Sequence, residues 1–111
     1  MVFSDPGAVA KSALDIRAGT GFFLFVPPGI NEEAIQAAGL SLVSREDRTR
    51  AIAEIAAGWH AARARCAAEL EREEGASWFE QRQRFLALTA ELAISRRLSR
   101  FLYVAEKPAP V

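Results

Sequence analysis

His60 and Cys66 are the only histidine and the only cysteine of this 111-residue chain, and they are its side chains best suited to proton transfer and nucleophilic attack. An imidazole titrates near neutral pH and suits a general base, but no partner carboxylate is identifiable. The six-residue gap to Cys66 is neither i+3 nor i+4, so the pair does not share a helix face and cannot start a metal site. His60 is expected at the surface or the rim of a site. Cys66 falls on an apolar stripe and is expected to be a small buried residue. Trp59, His60, Arg63 and Trp78 are the candidates for lining a substrate pocket. They line one if Trp78 and Phe79 face Trp59 across a gap. Otherwise Trp78 and Phe79 staple two helices together. No residue is assigned a catalytic, cofactor-binding or metal-binding role.

Gly19-Thr20-Gly21 raises the question of a phosphate cradle. In nucleotide sites the glycines follow a strand and open a helix, whose N-terminus faces the phosphates. Here they precede the apolar run Phe22–Val26 and follow a helical stretch from Asp5-Pro6 to about Arg17. Gly19 fits a left-handed helix end, and Gly21 fits the turn into a strand. Glu69-Leu70-Glu71-Arg72-Glu73-Glu74 reads as a solvated face. Its acidic residues oppose the helix dipole, so this helix end is expected to fray.

Composition bounds the rest. The length suits one domain. Half of the residues are hydrophobic, a quarter are charged and the formal net charge is zero, which excludes disorder and gives no basic footprint for nucleic acid. No cationic segment precedes an apolar leader, and no apolar run approaches the ~20 residues of a membrane span. The single cysteine suits a reducing compartment, so a cytoplasmic protein is expected.

The elements that would position these residues follow from the apolar spacing. Phe22–Val26 has no alternation and reads as a strand buried on both faces. Pro27-Pro28-Gly29 stops it, Asn31 caps a short helix over about 32–38, and Gly39 closes that helix. Leu40–Ser44 reads as a second strand. Ser44-Arg45-Glu46-Asp47 and Ser77-Trp78-Phe79-Glu80 have the form of capping boxes. They open helices over about 45–73 and 77–96, with Gly75 between them. Ile52, Ile55, Ala56, Trp59, Ala62, Cys66 and Leu70 form one stripe. Phe85, Leu86, Thr89, Leu92 and Ala93 form the other. Arg100–Ala105 reads as a third strand. The fold class expected is α/β: a small three-stranded sheet (about 21–26, 40–44 and 100–105) flanked by helices, with a two-helix insertion at 45–98. The two helices are expected to pack antiparallel through Ile52, Ile55, Trp59, Phe85 and Leu92. Trp59→Ala would then cost about 3–5 kcal/mol.

Three passages resemble class I S-adenosylmethionine-dependent methyltransferases. Ala13–Phe25 is similar to the family's "L+PGG+L-F" passage into its fifth strand, with Ala18-Gly19-Thr20-Gly21 in place of Pro-Gly-Gly. Gln36–Val43 resembles the "AGF" entry to the sixth strand. Arg97–Pro108 resembles the seventh strand and its tail. The resemblance covers nearly the whole chain and implies the C-terminal part of a Rossmann-like methyltransferase fold. It also implies that 45–98 is a helical insertion of the kind that covers a substrate site. Val26-Pro27-Pro28-Gly29 resembles the Pro-Pro of the family's [DN]-P-P-[YF] motif, but Val26 and Gly29 replace its polar and aromatic residues, so a rigid turn is expected.

The family's cofactor loop, which follows its first strand, has no counterpart here. S-adenosylmethionine is therefore implied for the family, and no cofactor is expected to bind this chain alone. A truncated gene, a fragment and a diverged chain all fit. A small-molecule methyl acceptor is expected only if the fold is completed. In the family order, the strand at 100–105 lies between 22–26 and 40–44 and runs antiparallel to both. One edge of 22–26 is then free, and a homodimer or a missing N-terminal half is expected to cover it. A small interaction module, or a folded remnant, is the alternative reading.

Overall fold

The computed structural model describes residues 1–3, 13, 15, 16 and 25–110. The expected helix from Asp5 to Arg17 and strand residues Phe22–Leu24 lie largely or wholly outside the described residues. Among the described residues the elements with given bounds run in the order β1 (Val2–Phe3), α1 (Ile30–Ala37), β2 (Ser41–Asp47), α2 (Thr49–Arg65), α3 (Ala67–Glu74), α4 (Ala76–Ile94), β3 (Leu98–Ser99) and β4 (Phe101–Glu106). The chain is α/β.

The expected three-stranded sheet is replaced, among the described residues, by two separate antiparallel ribbons, β1 with β3 and β2 with β4. The pairing of 40–44 with 100–105 holds in direction, and both strands are longer or shifted at their ends. What differs is the neighbour of Val26. Val2 bridges Val26 in parallel and pairs with Ser99 on its other side, and Val26 N–H donates to Met1 O at 3.3 Å. The N-terminal strand thus occupies the place expected for direct pairing between 22–26 and the last strand. Val2 is buried there. Two residues are too few to show a period-2 pattern, so the sequence carries no sign of β1.

Helix α1 starts one residue before the expected Asn31 cap. Gly29, at φ +89°, holds the N-cap position and accepts from Glu33 N–H, so Asn31 lies inside the helix. Gly39 ends the helix as expected. At φ +78° it donates to Gln36 O while Leu40 N–H reaches Ile35 O, the paired bonds of a Schellman motif. Helix α1 lies on one face of the β2–β4 ribbon, where Arg45 pairs with Glu32 at 3.3 Å and Asn31 Nδ2 donates to Tyr103 Oη at 3.5 Å. The register puts Ser44 with Val104 and Glu46 with Leu102 on the opposite face. Leu102 and Val104 are exposed there, and the bulged Val43 is exposed as well.

Ser44–Asp47 is strand, not a capping box. Asp47 nevertheless caps α2, because its Oδ1 accepts from Thr49 N–H at 2.9 Å. Ser77 likewise lies inside α4, which opens on Gly75, and its Oγ accepts from Gln81. The single expected helix over 45–73 breaks at Cys66, whose N–H turns to Arg63 O three residues back.

Helices α2 and α4 run antiparallel, since Ala56 meets Leu86 and Ala90 while His60 and Arg63 meet Gln83. The contact line is Thr49, Ala53 and Ala56 on α2, against Leu86, Thr89, Ala90 and Ala93 on α4. Alanine has no side chain beyond Cβ, so the backbones can approach closely. The buried line thus keeps Ala56 of the expected stripe but takes Ala53 in place of Ile52, about 100° around the helix. Ile55 is 48% exposed and Trp59 63% exposed, so neither is a core residue of the pair, whereas Phe85 packs against Ala56, Leu86 and Ala90 as expected. Leu92, 1% exposed, does lie in the core, with Leu98 and the partly buried Met1, Ala13, Phe25 and Leu88.

A clasp joins the two ends of the insertion. Asp47 pairs with Arg96 past the end of α4, Arg48 N–H donates to Arg100 O at 2.7 Å, and Arg100 N–H donates to the buried Thr49 Oγ1 at 3.1 Å. Arg96 has φ +55°, a left-handed conformation at which glycine is usual. The Thr49 hydroxyl and N–H, with Arg96, hold the Asp47 carboxyl down at about 2.

Candidate functional site

The four pocket candidates do not converge. Trp59 points to solvent on the outer face of α2. His60 is half-buried, consistent with a rim position, and it is the His60 carbonyl that accepts from Gln83 Nε2 at 3.0 Å. Arg63, one turn after Trp59 on nearly the same side of the helix, turns toward α3 and α4. Its guanidinium makes two hydrogen bonds to Glu74, at 3.1 and 2.7 Å, and one to Gln83 Oε1 at 3.2 Å. The same group lies 5.3 Å from the Phe79 ring centroid. Trp78 is half-buried one residue earlier, with Arg82 over its ring at 5.3 Å.

This Arg63 centre is a brace between α2, the end of α3 and the first turns of α4. Both partners are shielded, so the bidentate pair is stronger than an exposed one. The bond to Glu74 raises the Arg63 pKa, and the same bond lowers that of Glu74. The end of α3, expected to fray under its acidic run, is thereby tied down. The Glu74 partnership was hidden in the sequence because eleven residues separate it from Arg63 across a helix break. Phe79 joins α4 to α2 through Arg63, as a staple between the two helices would.

Cys66 is exposed, contrary to expectation, because the break in the helix lies at that residue. It borders a shallow groove of about 340 Å³ with Ala62, Arg63, Glu69, Leu70 and Glu73. The outer face of α2 therefore runs Ile55, Trp59, Ala62, Cys66, an apolar line that is largely exposed. Among the described residues no three His, Cys, Asp or Glu side chains stand close enough to hold a metal ion, and no helix is long and apolar enough to cross a membrane.

Comparison with protein-family models, curated proteins and solved structures finds no match to this chain.

Proposed function

We propose that the chain is the substrate-side, C-terminal part of a methyltransferase-like protein of Rossmann-like fold, inactive until a cofactor-binding half completes it. The observation that carries this reading is the outer apolar line of α2. A helix that buries one line against its neighbour and leaves a second, with a tryptophan, in solvent has a surface left over for something else. The size of the surface agrees. The chain exposes 7507 Å² and extends over 61 × 31 × 22 Å, against roughly 6,000 Å² for a compact monomer of this length. The β2–β4 ribbon, antiparallel and interrupted by a helical pair, is the arrangement that the resemblance implies for the last two strands. Trp59 then faces the substrate side of the completed protein, and S-adenosylmethionine binds only in the missing half.

Calorimetric titration of the chain with S-adenosylmethionine tests the incompleteness. No saturable heat is expected, and tight stoichiometric binding would overturn it. The coding sequence upstream tests the family: an in-frame strand, glycine-rich loop and helix are expected there, and a protein that includes them should bind the cofactor.

A second reading, a small interaction module or a folded remnant without catalysis, is favoured by one observation. Val2 sits between Val26 and Ser99, where the family order has two strands side by side. An upstream region without the cofactor motif would favour this reading.

A further inference from the structure

A two-stranded ribbon is at the lower limit of stable sheets, and strand β4 has an open side. Among the described residues β4 pairs with β2 alone. The direction of its backbone groups identifies that side. Arg100 N–H donates to Thr49 Oγ1 and Arg100 O accepts from Arg48 N–H, so both groups of Arg100 face the β2 side. Successive residues of a strand turn these groups to opposite sides. Ser99 therefore turns to Val2, which covers the other side only there and at Leu98 through Phe3. Leu102 and Val104 turn to β2. Phe101, Tyr103 and Ala105 present N–H and C=O to the open side. Such a row is a template for one more strand.

The strand that fits the row is β4 itself. When an antiparallel copy is centred on Tyr103, Phe101 faces the partner's Ala105 and Tyr103 faces the partner's Tyr103, so the two rows bond to each other. On the face away from α1, Leu102 stands opposite the partner's Val104, and both residues are exposed in the single chain. Just past the paired residues, Arg100 stands opposite the partner's Glu106. Both are exposed, and neither has an ion-pair partner among the described residues. Two-fold symmetry repeats each of these contacts. Moving the centre to Leu102 or Val104 separates Arg100 from Glu106, so the charges select the register as well as the partner.

We propose that β4 pairs along its open side with β4 of a second copy of this chain, joining two ribbons into one antiparallel four-stranded sheet with both α1 helices on one face. The inference stands on the ribbon alone and does not require the methyltransferase reading.

The test is amide hydrogen exchange of the whole chain, read by NMR at low and high protein concentration, with sedimentation giving the mass. The Leu102 and Val104 amides should be protected at both concentrations. The Phe101, Tyr103 and Ala105 amides should exchange freely when dilute and become protected as the dimer forms. Free exchange at every concentration would overturn the proposal. So would protection at every dilution, which would put a segment of the same chain on the edge. Ala105→Pro removes an outward N–H, spares the ladder to β2 and should give a monomer. Arg100→Glu and Glu106→Arg should each weaken the dimer about tenfold, because like charges then stand opposite, and the double variant should restore it. A dimer that survives Ala105→Pro, or a double variant no stronger than the single ones, would overturn the proposal by placing the contact elsewhere. The exchange pattern is read on the parent chain, so it decides the matter even if a variant does not fold.

Discussion

Helix α2 carries two apolar lines, and they differ in size as well as in exposure. The inner line is small: Thr49, Ala53 and Ala56 are buried against α4. The outer line is large: Ile55 and Trp59 stand in solvent, with Ala62 and Cys66 beyond them. Burial of apolar area stabilises at about 25 cal/mol per Å², so a helix packed only for its own stability would turn the tryptophan inward. It does not, because the facing positions on α4 are also small or branched, and two helices that approach through alanine leave no room for an indole. The difference separates residues that hold the insertion together from residues free to meet something else.

The comparison can be broken most strongly on the inner line. Ala56 is 3% exposed, and Ala56→Leu forces a larger side chain between two close helices. A loss of about 1–3 kcal/mol is expected in denaturant unfolding. A milder effect is expected at the clasp that closes the insertion. Arg96 holds a left-handed backbone that costs about 1 kcal/mol for a non-glycine residue, and its ion pair with Asp47 offsets part of that. Arg96→Ala keeps the backbone cost and loses the pair. Arg96→Gly loses both, and should therefore be more stable than Arg96→Ala by about 1 kcal/mol. The Asp47 carboxyl, held at about 2, gives the same clasp a pH signature. Its folded pKa is depressed, so its contribution is fully present above the ordinary carboxylate range, near pH 4, and is lost as pH falls through about 2. Because the group is partly exposed, that contribution is screened to about 1 kcal/mol. Urea melts at pH 5 and pH 2 should differ less for Asp47→Asn than for the parent. The smallest effect belongs to the outer line. Trp59→Ala should change stability by no more than about 0.5 kcal/mol, in place of the large loss expected from the periodicity.

The places where the sequence was legible share a physical reason. Gly39 and Gly75 end their helices where read, because positive φ is a local demand that glycine meets without neighbours. The strands read at 40–44 and 100–105 and the antiparallel helical pair also follow from short-range pattern, but the run of the first strand on to Asp47, read as helix, does not. The phase of α2 did not, because alanine and isoleucine count alike as apolar, and only the partner helix decides which line fits. The exposure of Cys66 and the shift of both helix starts are consequences of a break and of caps formed by Asp47 and Gly75, set by tertiary contacts. Glu32, Arg45 and Tyr103, where α1 meets the ribbon, come from three elements and carry no common motif. The Arg63–Glu74 brace crosses a helix break in the same way. The methyltransferase resemblance draws on passages at both ends of the chain, and the described fold departs from its implied sheet, with two separate ribbons and Val2 between Val26 and Ser99.

The surface role of the outer line is tested most directly by acrylamide quenching of Trp59 fluorescence, in a Trp78→Phe background that leaves one indole. At high dilution the ring should be quenched nearly as freely as indole in water, and protection should rise only with protein concentration or on addition of a completing half. A Trp59 that is protected at every dilution would be part of the fold's own core, and would contradict the account.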